Sequence, residues 1–106
     1  MEGNKYIIYG LVDPRDGYVK YVGLTNDCEK RYRLHLSEYT TGTKKETWIR
    51  CLLNNELKPE MIVLEEVNNY QSLFTAEKKW IRYYKEVSES LGYDFKNMTD
   101  GGRVRS

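Results

Sequence analysis

The sequence predicts an α+β domain of three strands and three or more helices, and three observations predict it. Two short runs rich in β-branched and aromatic residues flank a turn at 13–17 that holds Pro14 and Gly17. Polar capping signatures stand ahead of two helical stretches, at Asn26 and at Thr43. A third apolar run, 61–67, precedes a long segment whose apolar residues recur at helical spacing.

The first strand is expected over 5–12 (KYIIYGLV) and the second over 18–23 (YVKYVG), joined as a hairpin. If Val12 and Tyr18 close the five-residue loop, cross-strand partners sum to 30 and Tyr9 lies directly opposite Tyr21. Opposed residues share a face with Cβ atoms about 5 Å apart, so two phenols stand together, either as an ordinary aromatic pair or as part of a site. Asn26 as N-cap and Glu29 three residues on start a helix running to about Glu38. Arg31 and His35 are four apart and project from one face of it, while Cys28, Tyr32, Leu36 and Tyr39 form a stripe that can meet the sheet. A lone helical histidine is more often structural than catalytic; an arginine one turn away disfavours its protonation and suggests a shared polar target.

Thr43-Lys44-Lys45-Glu46 is a second capping box, opening a helix whose Trp48, Ile49, Leu52 and Leu53 form a core stripe that ends at Asn54-Asn55. The third strand, 61–67, carries apolar residues on both faces in its first half, and 68–72 reads as loop. The last helix is expected from about Ser72 to Glu89 with Phe74, Ile81, Tyr84 and Val87 inward, widened by Leu73, Trp80 and Tyr83, and Gly92 at its stop. Glu77 lies beside that stripe, either as an edge residue or as a carboxylate aimed at something. The end, 97–102 (NMTDGG), is polar and turn-like.

At 106 residues the chain fits one domain. No apolar run approaches the roughly 18 residues of a membrane span, and the N-terminus lacks the layout of a secretory signal, so a cytoplasmic protein is the default. Two cysteines 23 positions apart and one histidine exclude a structural zinc site from this chain alone, and Cys28 and Cys51 read as small core residues. Seventeen basic residues against sixteen acidic ones give +1, which neither demands nor excludes a nucleic acid. Basic residues gather between 28 and 50, where Lys30, Arg31, Arg33, Lys44, Lys45 and Arg50 face three acidic ones, so one face can be positive. Ten tyrosines against two phenylalanines point to a polar site, because a buried phenol wants a partner.

Taken in order, Ile7-Ile8-Tyr9, Tyr21-Val22-Gly23, Arg31 ten positions after Tyr21, His35 one turn later, Glu77 in AEKKWI and Asn97 in NMTDGG resemble the GIY-YIG nuclease family over about residues 5–102. Each triplet alone is weak; six positions in order are specific. The resemblance implies that the three strands form one antiparallel sheet flanked by the helices, a single GIY-YIG domain over 1–106. There are two departures. Ile7 stands where the first motif has glycine, which bears on packing beside Tyr9. Where some members carry a second histidine after the arginine helix, this chain offers only Lys44 and Lys45.

The resemblance further implies a metal-dependent endonuclease that hydrolyses DNA phosphodiesters, double-stranded DNA being its partner. Mg²⁺ (or Mn²⁺) would be held by Glu77; one carboxylate suffices for an ion that keeps waters and takes substrate oxygens. Tyr9 would be the general base, handicapped by a phenol pKa near 10 and needing help from cationic charge or a relay to His35. Tyr21 would position the water or a phosphate oxygen, Arg31 would clamp the scissile phosphate, and Asn97 would hold a loop over the site. Arg33, Lys44 and Lys45 join Arg31 as candidate nucleic-acid contacts; His35 is either relay or phosphate donor. The domain would be the catalytic module of a homing-type enzyme, which typically continues past this point into a linker, or a compact phage-borne nuclease. The alternative is a non-catalytic nucleic-acid-binding module that keeps the fold; retained Tyr9, Tyr21, Arg31, His35 and Glu77 argue against it, because idle charged groups cost desolvation. An RNA-binding domain with stacked aromatics fits the tyrosine count but not Glu77.

Overall fold

The computed structural model describes residues 5–37 and 43–97. Its elements run β1 (Tyr6–Val12), β2 (Val19–Thr25), α1 (Cys28–Ser37), α2 (Lys44–Asn54), β3 (Glu60–Val67) and α3 (Tyr70–Leu91). The strands form one antiparallel sheet in the order β2-β1-β3, the architecture the sequence predicts. Alternation along β1 divides the interior. Ile8 and Val12 pack with Val22, Leu73, Ala76 and Ile81 under α3. Tyr9 and Leu11 pack with Trp48, Ile49 and Leu52 of α2, with Tyr32 and Leu36 of α1 beside them.

The hairpin register differs from the expected one. Tyr9 pairs with Gly23 and Tyr21 with Leu11, so partners sum to 32 rather than 30, with a bulge between Leu11 and Val12. The turn and the bulge contribute one position each. Asp13, expected within the loop, closes it instead, its amide bonding to the carbonyl of Tyr18 at 3.0 Å and its own carbonyl accepting from Gly17 at 2.8 Å, and the bulge beside Val12 adds the second position. The Asp13 side chain, 1% exposed, takes Arg15 at 2.8 Å and the Trp48 indole at 2.9 Å. Burial alone would raise its pKa, but these hydrogen bonds hold the carboxyl well below its usual range. A slip of two residues preserves facing, so Tyr9 and Tyr21 still share a surface.

Helix starts follow local capping. Asp27, not Asn26, caps α1 by accepting from the Lys30 amide. Thr43 caps α2 as expected, and Asn69 caps α3, which brings its start forward from 72 to 70. Gly92 ends α3 in the left-handed conformation. The inward stripe of α3 is rotated from the expected one: Leu73, Ala76, Ile81 and Ser88 are buried, while Phe74 and Tyr83 are exposed. Cys51 is also exposed and Cys28 half-buried, so neither is the core residue expected; Trp48, Ile49 and Leu52 take the inner face of α2. Tyr39 and Glu38 lie outside the described residues. Among the described residues no helix is long and apolar enough to cross a membrane.

The outer edge of β2 is covered by the segment after α3. Tyr93 donates from its hydroxyl to the Val19 carbonyl, the Lys96 amide to the Lys20 carbonyl at 2.6 Å, and Asn97 bonds both ways with the Val22 backbone at 2.9 Å. An edge that would otherwise present bare peptide groups is thereby closed, and the strand carrying Tyr21 is fixed from both sides.

Candidate active site

Tyr9 projects from the central strand across Gly23 of β2. A Cβ at position 23 would lie 2.5 Å from the Tyr9 hydroxyl and 2.6 Å from Cζ. Only a residue without a side chain lets the phenol lie there. The hydroxyl then meets His35 Nε2 of α1 at 2.6 Å, and both residues are fully buried. Tyr21 closes the group from the next strand, its ring centroid 6.4 Å from Tyr9 and 5.5 Å from His35. The same helix face that sends His35 inward brings Arg31 to the Tyr9 hydroxyl as a hydrogen-bond donor.

The electrostatics are lopsided. Burial drives the Tyr9 phenol well above the ordinary tyrosine range, with Tyr21 pushing the same way; the hydrogen bond and charge of Arg31 offset this only in part, and Glu77 raises it further. His35 is lowered to about 3, by burial first and then by Lys45 and Arg31, so it is neutral near pH 7. Its Nδ1 is buried with no hydrogen-bond partner among the described residues. Burial also raises Glu77, which lies half-buried on α3 and forms no ion pair or hydrogen bond among the described residues. A desolvated carboxylate without a cation is an unfavourable resting state.

The structure thus gathers Tyr9, Tyr21, Arg31 and His35, with Glu77 close enough for its charge to act on Tyr9. Asn97 reaches this group only at Tyr21, with which it lines one hollow. It grips the β2 backbone at Val22, one residue from Tyr21. Lys45, in the first turn of α2, places its Nζ 5.2 Å from the Tyr21 ring centroid. Arg33 points outward, with Glu29 4.0 Å away on the same helix, and Lys44 is exposed beside Asp94. Two contributors are not evident from sequence patterns. Gly23 enters there only as a motif letter, although a glycine inside a strand signals a close approach. Lys96 borders a hollow of about 210 Å³ with Tyr21, Lys45 and Asn97, and its neighbour in sequence, Asn97, is the available signal.

Among the described residues no three His, Cys, Asp or Glu side chains converge as a metal cage. The family model described as GIY-YIG catalytic domain matches residues 5–90, a span containing Tyr9, Tyr21, Arg31, His35 and Glu77. No curated protein and no solved structure matches the chain.

Proposed function

This chain belongs to the family of GIY-YIG catalytic domains, nucleases that act on DNA, and from that premise we propose that it is a divalent-metal-dependent endonuclease working through Tyr9, Tyr21, Arg31, His35 and Glu77. The observation that carries the reading is the buried phenol–imidazole pair flanked by one guanidinium and one uncompensated carboxylate. Buried, mutually perturbing groups of this kind cluster at functional sites, where a ligand offsets their desolvation.

Glu77 fits a hard cation such as Mg²⁺ or Mn²⁺. It is desolvated, it lacks a counter-charge among the described residues, and a single carboxylate is enough when water and phosphate oxygens fill the remaining positions. Bound there, the ion would supply Lewis-acid stabilisation of phosphoryl charge. The chain's own groups do the rest. Arg31, now resting on Tyr9, turns its fork to the scissile phosphate and neutralises charge as the phosphorus becomes five-coordinate. The Tyr9 hydroxyl orients the attacking water and accepts its proton while passing its own to His35 Nε2. His35, whose Nε2 lies 2.6 Å from the Tyr9 hydroxyl, is the acceptor in that relay. Tyr21 holds the water or a phosphate oxygen, and Asn97 is a positioning residue that keeps the β2 backbone beside Tyr21 in place. Recognition of a particular DNA sequence is supplied outside this site, as in the modules of homing-type nucleases; a specific interface buries on the order of 1,000 Å² or more.

The test is a nicking assay on supercoiled plasmid with Mg²⁺, with chelator, and with Glu77→Ala. Cutting that needs both metal and Glu77 is expected. Cutting by Glu77→Ala at the parent rate refutes the metal assignment, and DNA binding without cutting at any Mg²⁺ or Mn²⁺ concentration refutes the enzyme.

A further inference from the structure

Beside Tyr21 the surface opens into two adjoining hollows. The smaller, about 210 Å³, is bordered by Tyr21, Lys45, Lys96 and Asn97. The larger, about 400 Å³, runs between the hairpin turn and the outer face of α2, with Arg15, Lys44, Asp94 and Lys96 on its walls and the edge of Trp48 in its lining. Lys96 lines both. Its backbone is pinned to β2 through the Lys20 carbonyl, so the ammonium is presented from a fixed base.

Four cations thus line the two hollows, Lys45 and Lys96 the one beside Tyr21, and Lys96, Lys44 and Arg15 the one beyond it. The exposed anion among the lining groups is Asp94, which holds Lys96 at 3.0 Å and faces Lys44 at 3.9 Å. The Arg15 guanidinium is locked in place on the buried Asp13. In a chain of net charge +1 this is a local concentration of positive charge. Because Lys96 lines both hollows, the cations extend from Tyr21 toward the hairpin turn as a track rather than gathering in one pocket. Lysines at intervals along a track are suited to successive backbone phosphates, because each acts as a point charge with no demand on base identity.

We propose that this track is a subsite for the DNA backbone flanking the cleaved bond, with Lys96 and Lys44 as phosphate contacts and Asp94 as the internal anion that the phosphates displace. The inference rests on the nuclease reading and adds where the strand leaves the site. Asp94 gives it an unusual signature: a carboxylate competing with phosphate weakens binding, so its removal strengthens it.

The test is duplex binding by fluorescence anisotropy over a salt series, with chelator present so that nothing is cut. Lys44→Gln and Lys96→Gln are each expected to weaken binding, and each to shrink the slope of log K against log salt by about 0.9 for every phosphate no longer neutralised. Asp94→Asn is expected to bind more tightly than the parent, which a merely structural role for the segment does not produce. Lys79→Gln serves as control, since Lys79 pairs with Glu65 on β3, the strand at the opposite edge of the sheet from β2. Lys44 is largely exposed, so that variant reports even if Lys96→Gln is unstable. Parent-like affinity and slope in both lysine variants, with the parent binding, overturn this inference alone. A parent that binds no duplex at low salt overturns it together with the nuclease reading.

Discussion

Gly23→Ala is the sharpest perturbation of the site, because it adds one methyl group and touches no functional atom chemically. The new Cβ would stand 2.5, 2.6 and 3.0 Å from the hydroxyl, Cζ and Cε2 of Tyr9. Carbon contacts are comfortable at about 3.5–4.0 Å, so the end of the ring must retreat by about 1 Å. It has little room, being fully buried between Tyr21 and His35. Overpacking of this kind costs about 1–3 kcal/mol of stability. The larger effect falls on the 2.6 Å contact to His35: a misplacement of about 1 Å in a reacting group can cost on the order of 100-fold in rate. Gly10→Ala makes the comparison, since its Cβ would meet Val19 Cγ1 at 3.1 Å and its next neighbours at 3.5 Å, away from Tyr9. Urea unfolding of the two variants and single-turnover plasmid nicking at saturating Mg²⁺ provide the readouts. Gly23→Ala should lose far more activity than Gly10→Ala at similar stability. A Gly23→Ala enzyme within tenfold of the parent would refute the reasoning that Tyr9 must lie where the structure puts it.

Two further substitutions separate the charges. Arg31→Ala should lose about 3 kcal/mol or more of transition-state stabilisation, as for removal of an electrostatic donor, and a drop in kcat/KM below tenfold counts against the phosphate clamp. Glu77 has its folded pKa raised by burial, so its contribution to stability is present at pH values below its unfolded pKa and is lost as pH rises through the folded value. Glu77→Gln should therefore be more stable than the parent at pH 7 in metal-free urea titrations, yet inactive in nicking. Added Mg²⁺ should stabilise the parent and leave the variant unmoved; equal Mg²⁺ effects on both would remove Glu77 as its ligand.

Much of the fold is legible in the sequence because it rests on local rules. Thr43 with Glu46 marks the start of α2, and Gly92 marks the end of α3, through hydrogen bonds and a left-handed backbone made within a few residues. The hairpin register is not legible, since it depends on a bulge beside Val12 and on Asp13, bonded by Trp48 35 positions away, pairing across the turn with Tyr18. The shared facing of Tyr9 and Tyr21 survives the two-residue slip because strand periodicity is two. The α3 stripe departs from expectation for a related reason. Phe74 and Tyr83 are apolar enough to be inward, but the face that meets the sheet is decided by Leu73, Ala76 and Ile81 packing on Ile8 and Val22, a contact between distant segments. The site residues stand out through ordered motifs, whereas Lys96 and the seat at Gly23 exist only once the strands are paired.

The protonation of His35 offers the most direct test of the proton path, since it is the only histidine in the chain. Tyr9 receives a hydrogen bond from Arg31, which engages a lone pair of its oxygen and leaves its own O–H for His35 Nε2. That direction requires the neutral imidazole with its proton on Nδ1, the nitrogen that has no partner among the described residues. A buried unpaired donor costs about 1–3 kcal/mol, a cost that the short bond to Tyr9 and the surrounding packing must offset. The alternative tautomer would leave the phenol accepting from both neighbours, with no route for its proton toward His35. Imidazole ¹⁵N–¹H correlation spectra distinguish the two. The expected spectrum shows a proton on Nδ1 and no titration between pH 8 and pH 5, because burial and the two cations lower the group to about 3. With its folded pKa below the unfolded value, His35 then contributes stability that falls away as pH drops from about 6.5 toward 3. A titration centred near 6.5 would overturn the burial that the structure gives the imidazole, and a proton on Nε2 would reverse the bond to Tyr9 and remove His35 from the proton path.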